Sequence, residues 1–188
     1  MNQAKQGKRS VLFVDAAHFV YGPFLGFLWC AVRLFIPGPS GRKRYNVLAA
    51  LDAVTHRVIQ VTNFQYINAE SVCTLLRQIA AAGLPRPITL VMDNARYQHC
   101  NLVQSLARSL RIELLFLPAY SPNLNLIERL WKFIKKECLA CKWRKTFEAF
   151  TEAIDSCLDQ MPTTYKTQMD TLLTLNFQTF ETEPLVAA

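Results

Sequence analysis

The chain has 188 residues, 51% hydrophobic and 19% charged, with a formal net charge of +7. This composition excludes an intrinsically disordered chain and suits one domain with a sizeable core. The positive balance favours a polyanionic partner, because each phosphate neutralised by Lys or Arg releases condensed counterions; a basic surface with no partner is the plain alternative.

Residues 1–9 are polar and basic and read as an N-terminal tail, with no apolar signal core and no small-residue cleavage site. Residues 10–14 form a fully apolar strand that ends on Asp15. The stretch 19–37 is rich in Phe, Leu, Trp and Val, but Gly22, Pro23 and Arg33 interrupt it. Its longest uncharged part after the proline, residues 24–32, falls short of the roughly 18–20 residues a membrane span needs. Core or partner-facing surface is the expectation there, with no membrane partner.

Residues 46–51 and 57–62 are two further strands, joined by the polar connection 52–56. Asn68 caps a helix through Ala82, with Val72, Leu75, Leu76 and Ile79 at helical spacing, and Gly83 and Pro85 stop it. A strand at 88–92 ends on Asp93, a helix covers 100–110, and a fifth strand covers 112–117. A helix over 126–139 carries Ile127, Leu130, Trp131 and Ile134 on one face. A last helix spans 146–160, with Phe147, Phe150, Ile154 and Leu158 inward, and residues 181–188 are a frayed tail. Three strands followed by alternating helices and strands predict an α/β domain over 10–180, a mixed sheet with helices on its faces.

Asp15, Asp93 and Glu128 stand at the ends of core elements, and 34 residues separate the last two. Singly, an Asp after a strand is ordinary turn or cap chemistry, and an acid in a first helical turn complements the helix dipole. Jointly they suit divalent metals. Beside each other, Asp15 and Asp93 would repel, and a hard cation binding carboxylate oxygens removes that penalty.

The blocks Phe13-Val-Asp15, Val91-Met-Asp93-Asn94-Ala95 and Leu117-Pro-Ala-Tyr-Ser-Pro-Asn-Leu-Asn-Leu-Ile-Glu128-Arg-Leu-Trp131 resemble the catalytic core of DDE transposases. The nearest group is the mariner-related bacterial insertion-sequence superfamily. The resemblance covers residues 11–136 and implies a ribonuclease H-like fold with a mixed five-stranded sheet. It implies that Asp15, Asp93 and Glu128 are catalytic and bind two Mg²⁺ (or Mn²⁺) ions. Water would cleave a phosphodiester at the transposon end, and the liberated 3′-hydroxyl would attack target DNA in the same site. The partners implied are double-stranded DNA, as transposon ends and target, and a second copy in a homodimer. The place of action is the DNA of a bacterial cytoplasm.

Where many relatives carry a second acid after the first Asp, this chain has Ala16, which argues against an accessory carboxylate. Full-length relatives carry N-terminal helix-turn-helix modules, and only about ten residues precede the first strand here. The expectation is a recognition module on an upstream or frameshifted reading frame, or a remnant of a decayed element. An inactive or purely DNA-binding protein of the same fold, and a cellular nuclease, are the alternatives.

Asn94 is expected to fix the turn or a bound water at the site, and His99 to orient the loop or act near the phosphate. Arg42, Lys43 and Arg44 in a Gly-rich loop, and Lys132, Lys135 and Lys136 on the Glu128 helix, are candidate phosphate contacts or simply solvated faces. Six cysteines form no dense framework, and Cys138-Leu-Ala-Cys141 lacks a second pair for zinc; free thiols in a reducing cytoplasm are expected.

Overall fold

The computed structural model describes residues 1–22, 42–118 and 121–175. Most of the apolar stretch 19–37 and the C-terminal tail 181–188 lie outside the described residues. The N-terminal residues do more than trail: α1 (Asn2–Lys5) is one helical turn, and Ala4 is buried against the main core.

Five strands form one sheet, β1 (Ser10–Val20), β2 (Arg44–Asp52), β3 (Val58–Asn63), β4 (Ile88–Met92) and β5 (Ile112–Phe116), in the order β3-β2-β1-β4-β5. The first strand is central. β1, β2 and β3 are antiparallel neighbours, whereas β4 and β5 run parallel to β1. Asp52 shapes the β2–β3 turn by accepting from the Val54 and Thr55 amides at 2.9 and 2.7 Å.

β1 corrects one expectation. It does not end before Asp15 but continues to Val20, because β2 supplies antiparallel hydrogen-bonding partners up to Val20↔Arg44. Its pairing with β4 stops at Val14↔Met92. Asp15 therefore emerges where the parallel neighbour runs out, in mid-strand.

The pleat divides the core by sequence parity. Val11, Phe13, Ala17 and Phe19 face α4 (Ile127–Ile134), α5 (Phe147–Asp159) and α6 (Lys166–Leu172); Leu12 and Val14 face α2 (Ala69–Ala81) and α3 (Asn101–Ser109). α6 was not foreseen. Arg129 on α4 ties to its end, donating to the Leu172 and Thr174 carbonyls at 3.2 and 2.7 Å.

The predicted helix end at Gly83 holds. Gly83 takes φ +68°, a left-handed conformation that a side chain would strain. At the other end of α2, Asn68 and Ser71 form a reciprocal capping box, the Ser71 amide donating to Asn68 Oδ1 at 3.0 Å. Asn68→Ala is expected to cost about 1 kcal/mol. That would lower Tm by roughly 2–4 °C in a calorimetric scan, by the scaling for domains of this size.

The helix after Glu128 runs on from α4 as a π-helical turn, Lys135–Leu139. Cys138 on that turn and Cys157 on α5 both point into the core and are joined as a disulfide, with Cα atoms 6.7 Å apart. This corrects the expectation of free thiols for these two residues. Among the described residues Cys73, Cys100 and Cys141 remain free. No helix among the described residues is long and apolar enough to cross a membrane.

Candidate active site

Asp15 lies on the sheet face that α4 covers, because it shares parity with Phe13 and Ala17 on β1. Asp93 follows β4 directly, and its side chain accepts from the Ala95 amide at 3.3 Å, so it serves as a turn former as well. Glu128 stands in the first turn of α4. The three elements meet at the point where β4 stops beside β1.

Three hydrogen bonds fix α4 there. Asn125, buried just before the helix, donates from Nδ2 to the Val14 carbonyl at 3.3 Å, while its own carbonyl accepts from the Glu128 amide at 3.2 Å. One turn along from Glu128, Trp131 donates from Nε1 to Asp15 Oδ2 at 3.0 Å. Its ring also packs edge-on against Phe19, with centroids 6.1 Å apart.

The electrostatics tie the acids together. Burial pushes the Asp15 carboxyl up from its ordinary 3.8 to about 6. The Ala16 amide opposes that rise, the charge of Glu128 adds to it, the Trp131 N–H opposes it, and the charge of Asp93 adds further. Burial likewise pushes up the Tyr97 phenol, and the charges of Asp93 and Asp15 add to the effect. Tyr97 thus joins the site, with no sequence signal to mark it. Trp131 and Asn125 were more legible, since both lie in the string that carries Glu128.

Among the described residues, no group of three or more His, Cys, Asp or Glu is arranged to hold a metal ion. The charges of Glu128 and Asp93 reach Asp15 without the three side chains being drawn into a ligand cage. The donor set still suits a hard divalent cation: all the oxygens are carboxylate, and the charge crowding on Asp15 is what a cation would relieve.

The accessory residues fall into place less completely. Asn94 is exposed next to Asp93. The His99 ring is also exposed and stacks on Phe116, with centroids 3.7 Å apart, which suits a loop-anchoring role. Lys132, Lys135 and Lys136 are exposed on the Glu128 helix and its π turn. Arg42, Lys43 and Arg44 lie elsewhere, at the far end of the β1–β2 pair from Asp15.

The fold has solved counterparts. A pre-cleavage Mos1 transpososome aligns with a TM-score of 0.60 at 14% identity, over 96% of this chain and 59% of that one. The Mos1 transposase catalytic domain, solved with raltegravir and Mn, gives 0.56 at 14% identity, over 93% and 86%. A simian T-cell lymphotropic virus intasome in complex with the PP2A regulatory subunit B56 gamma gives 0.55 at 18%, over 82% and 48%. The chain spans about half to three-fifths of the transpososome and intasome chains it matches. These likenesses show the ribonuclease H-like fold. No curated protein sequence matches the chain. The family model of the DDE superfamily endonucleases, however, matches residues 6–151, and the chain belongs to that family.

Proposed function

We propose that this chain is the catalytic domain of a transposase, cutting DNA at transposon ends and joining the freed 3′ end to target DNA. The observation that carries this reading is the buried Asp15 carboxylate, tied to the Glu128 helix by Trp131 and raised further by the charges of Glu128 and Asp93, where β4 ends beside β1. Membership of the DDE endonuclease family supports it.

In this reading Asp15, Asp93 and Glu128 hold two Mg²⁺ or Mn²⁺ ions. When bound, such a pair activates the attacking oxygen and stabilises the leaving oxygen of a phosphodiester. The Trp131 N–H keeps one Asp15 oxygen oriented and favours its ionised form. Asn125 sets the distance between β1 and the Glu128 turn by bonding to both. Asn94 and His99 support the loop after Asp93. Lys132, Lys135 and Lys136 contact the DNA backbone beside the site, contributing position rather than sequence readout. The partners in this reading are duplex DNA and a second copy of the chain, in a bacterial cytoplasm.

The test is a nicking and strand-joining assay on a transposon-end duplex. Product is expected with Mg²⁺ or Mn²⁺ and none with a chelator. Binding should fall steeply with salt, the log–log slope growing by about 0.9 per phosphate neutralised. Absence of cleavage under every ion condition, with duplex binding intact, would mean a fold retained for DNA binding alone.

A further inference from the structure

Beyond Asp15, the same face of β1 leads to a second feature. Tyr21, just past the strand, packs against Phe147 and Phe150 with centroids 5.7 and 5.5 Å away. Beside it lies a cavity of about 310 Å³ lined by Arg42, Lys43, Arg44, Phe64 and Phe147. No carboxylate lines it, and among the described residues none of the three cations is paired with one. Phe64 is 63% exposed, yet its ring is held in place by Tyr45 and Phe147, 5.7 and 5.6 Å away. Lys43 Nζ stands 5.4 Å from the centre of the Phe147 ring.

A large aromatic ring left in water beside three cations that no carboxylate among the described residues pairs is not accounted for by the core. Duplex DNA does not explain it either, because paired bases keep their faces stacked on one another and offer the ring nothing to cover. An unpaired nucleotide offers both a π-face and a phosphate, the combination that aromatic platforms in basic grooves bind. An acidic peptide would use the cations but leave Phe64 idle.

We propose that this cavity is a subsite for an unpaired nucleotide of the DNA that the active site cuts. The base stacks on Phe64 at the mouth, and its flanking phosphates lie on Arg42, Lys43 and Arg44. The inference rests on the DNA-cleaving reading above. Arg44 pairs with Val20, five residues along β1 from Asp15. At ~3.3 Å per residue that is about 17 Å, the length of about five nucleotides at 3.4 Å each. The subsite thus fits a short single-stranded flank rather than the cut bond itself.

The experiment compares binding of a blunt duplex with the same duplex carrying a single-stranded flank of about ten nucleotides, twice that span. The parent chain, Phe64→Ala and Phe64→Trp are each measured, with melting curves for all three. The flank is expected to tighten binding by the parent about tenfold, the effect of one good stacking contact. Phe64→Ala should lose that gain and Phe64→Trp keep it, with blunt-duplex binding and melting unchanged. A parent indifferent to the flank overturns the proposal, as does Phe64→Ala weakening both DNAs alike. Tighter binding of poly-glutamate than of the flanked duplex also overturns it, in favour of an acidic peptide. A chain that nicks the blunt duplex but ignores the flank loses only this inference; one that binds neither DNA loses the functional reading with it.

Discussion

Asp15→Asn is expected to abolish cleavage, by a factor of at least about 10³ if a two-ion site is broken, and yet to melt higher than the parent chain at pH 7.5 without divalent metal. Burial and the charges of Glu128 and Asp93 raise the Asp15 carboxyl from 3.8 to about 6, so its ionised form costs the folded state. At a pH below 3.8 the group is protonated in folded and unfolded chains alike, and that cost is absent. Between 3.8 and about 6 the unfolded chain gives up its proton first, so the cost grows as pH rises and is complete above about 6. Its upper bound is about 3 kcal/mol, less in practice because solvent reaches part of the carboxylate. Asparagine carries no charge and still offers an oxygen to Trp131. The gain in Tm should therefore shrink as the scan is moved towards pH 4. Mg²⁺ or Mn²⁺ should raise the Tm of the parent and leave that of Asp15→Asn nearly unmoved. If the two chains melt together at every pH without metal, Asp15 is not under the strain assigned to it.

Trp131→Ala should be the most destabilising single change near the site. The side chain is buried, packs on Phe19 and carries a hydrogen bond to Asp15. Truncating a buried aromatic costs about 3–5 kcal/mol, or roughly 10 °C in Tm for a domain of this size. Trp131→Phe separates packing from polarity. It keeps most of the ring contact but removes the N–H that favours ionised Asp15, so the Asp15 carboxyl moves still higher. The acid limb of the pH–rate profile should then shift upward, with a smaller loss of Tm. A profile that does not move would show that the hydrogen bond does not tune the carboxylate.

The site was legible where chemistry and periodicity coincide in a short stretch of chain. Asp93 closes an apolar strand, and Glu128 sits one turn before the inward-facing Trp131, so both could be placed without coordinates. Asp15 stood out as a candidate, but its place in mid-strand was not legible, because the end of β1 is set by β2, a partner more than 20 residues away. Tyr97 left no trace, since its proximity to the acids depends on how the loop after β4 folds back. α6 carries too little apolar pattern to announce itself, with Met169 its one buried residue. The Cys138–Cys157 link depends on two helices docking, a relation that spacing along the chain does not encode.

The antiparallel half of the sheet is contiguous in sequence, but the parallel half is not, and this bears on when the enzyme can exist. Asp15 belongs to the first strand of this sheet in chain order, whereas Asp93, just past β4, comes 78 residues later and Glu128 on α4 a further 35. The β1–β3 meander can pair as it emerges, while long-range parallel pairing is slow. At about 5–20 residues per second, several seconds of synthesis separate the first acid from the last. A nascent or prematurely terminated chain lacking Glu128 carries the two aspartates without the third acid. The topology thereby works as a timer: the three acids can come together only after the chain from β1 through α4 has been made.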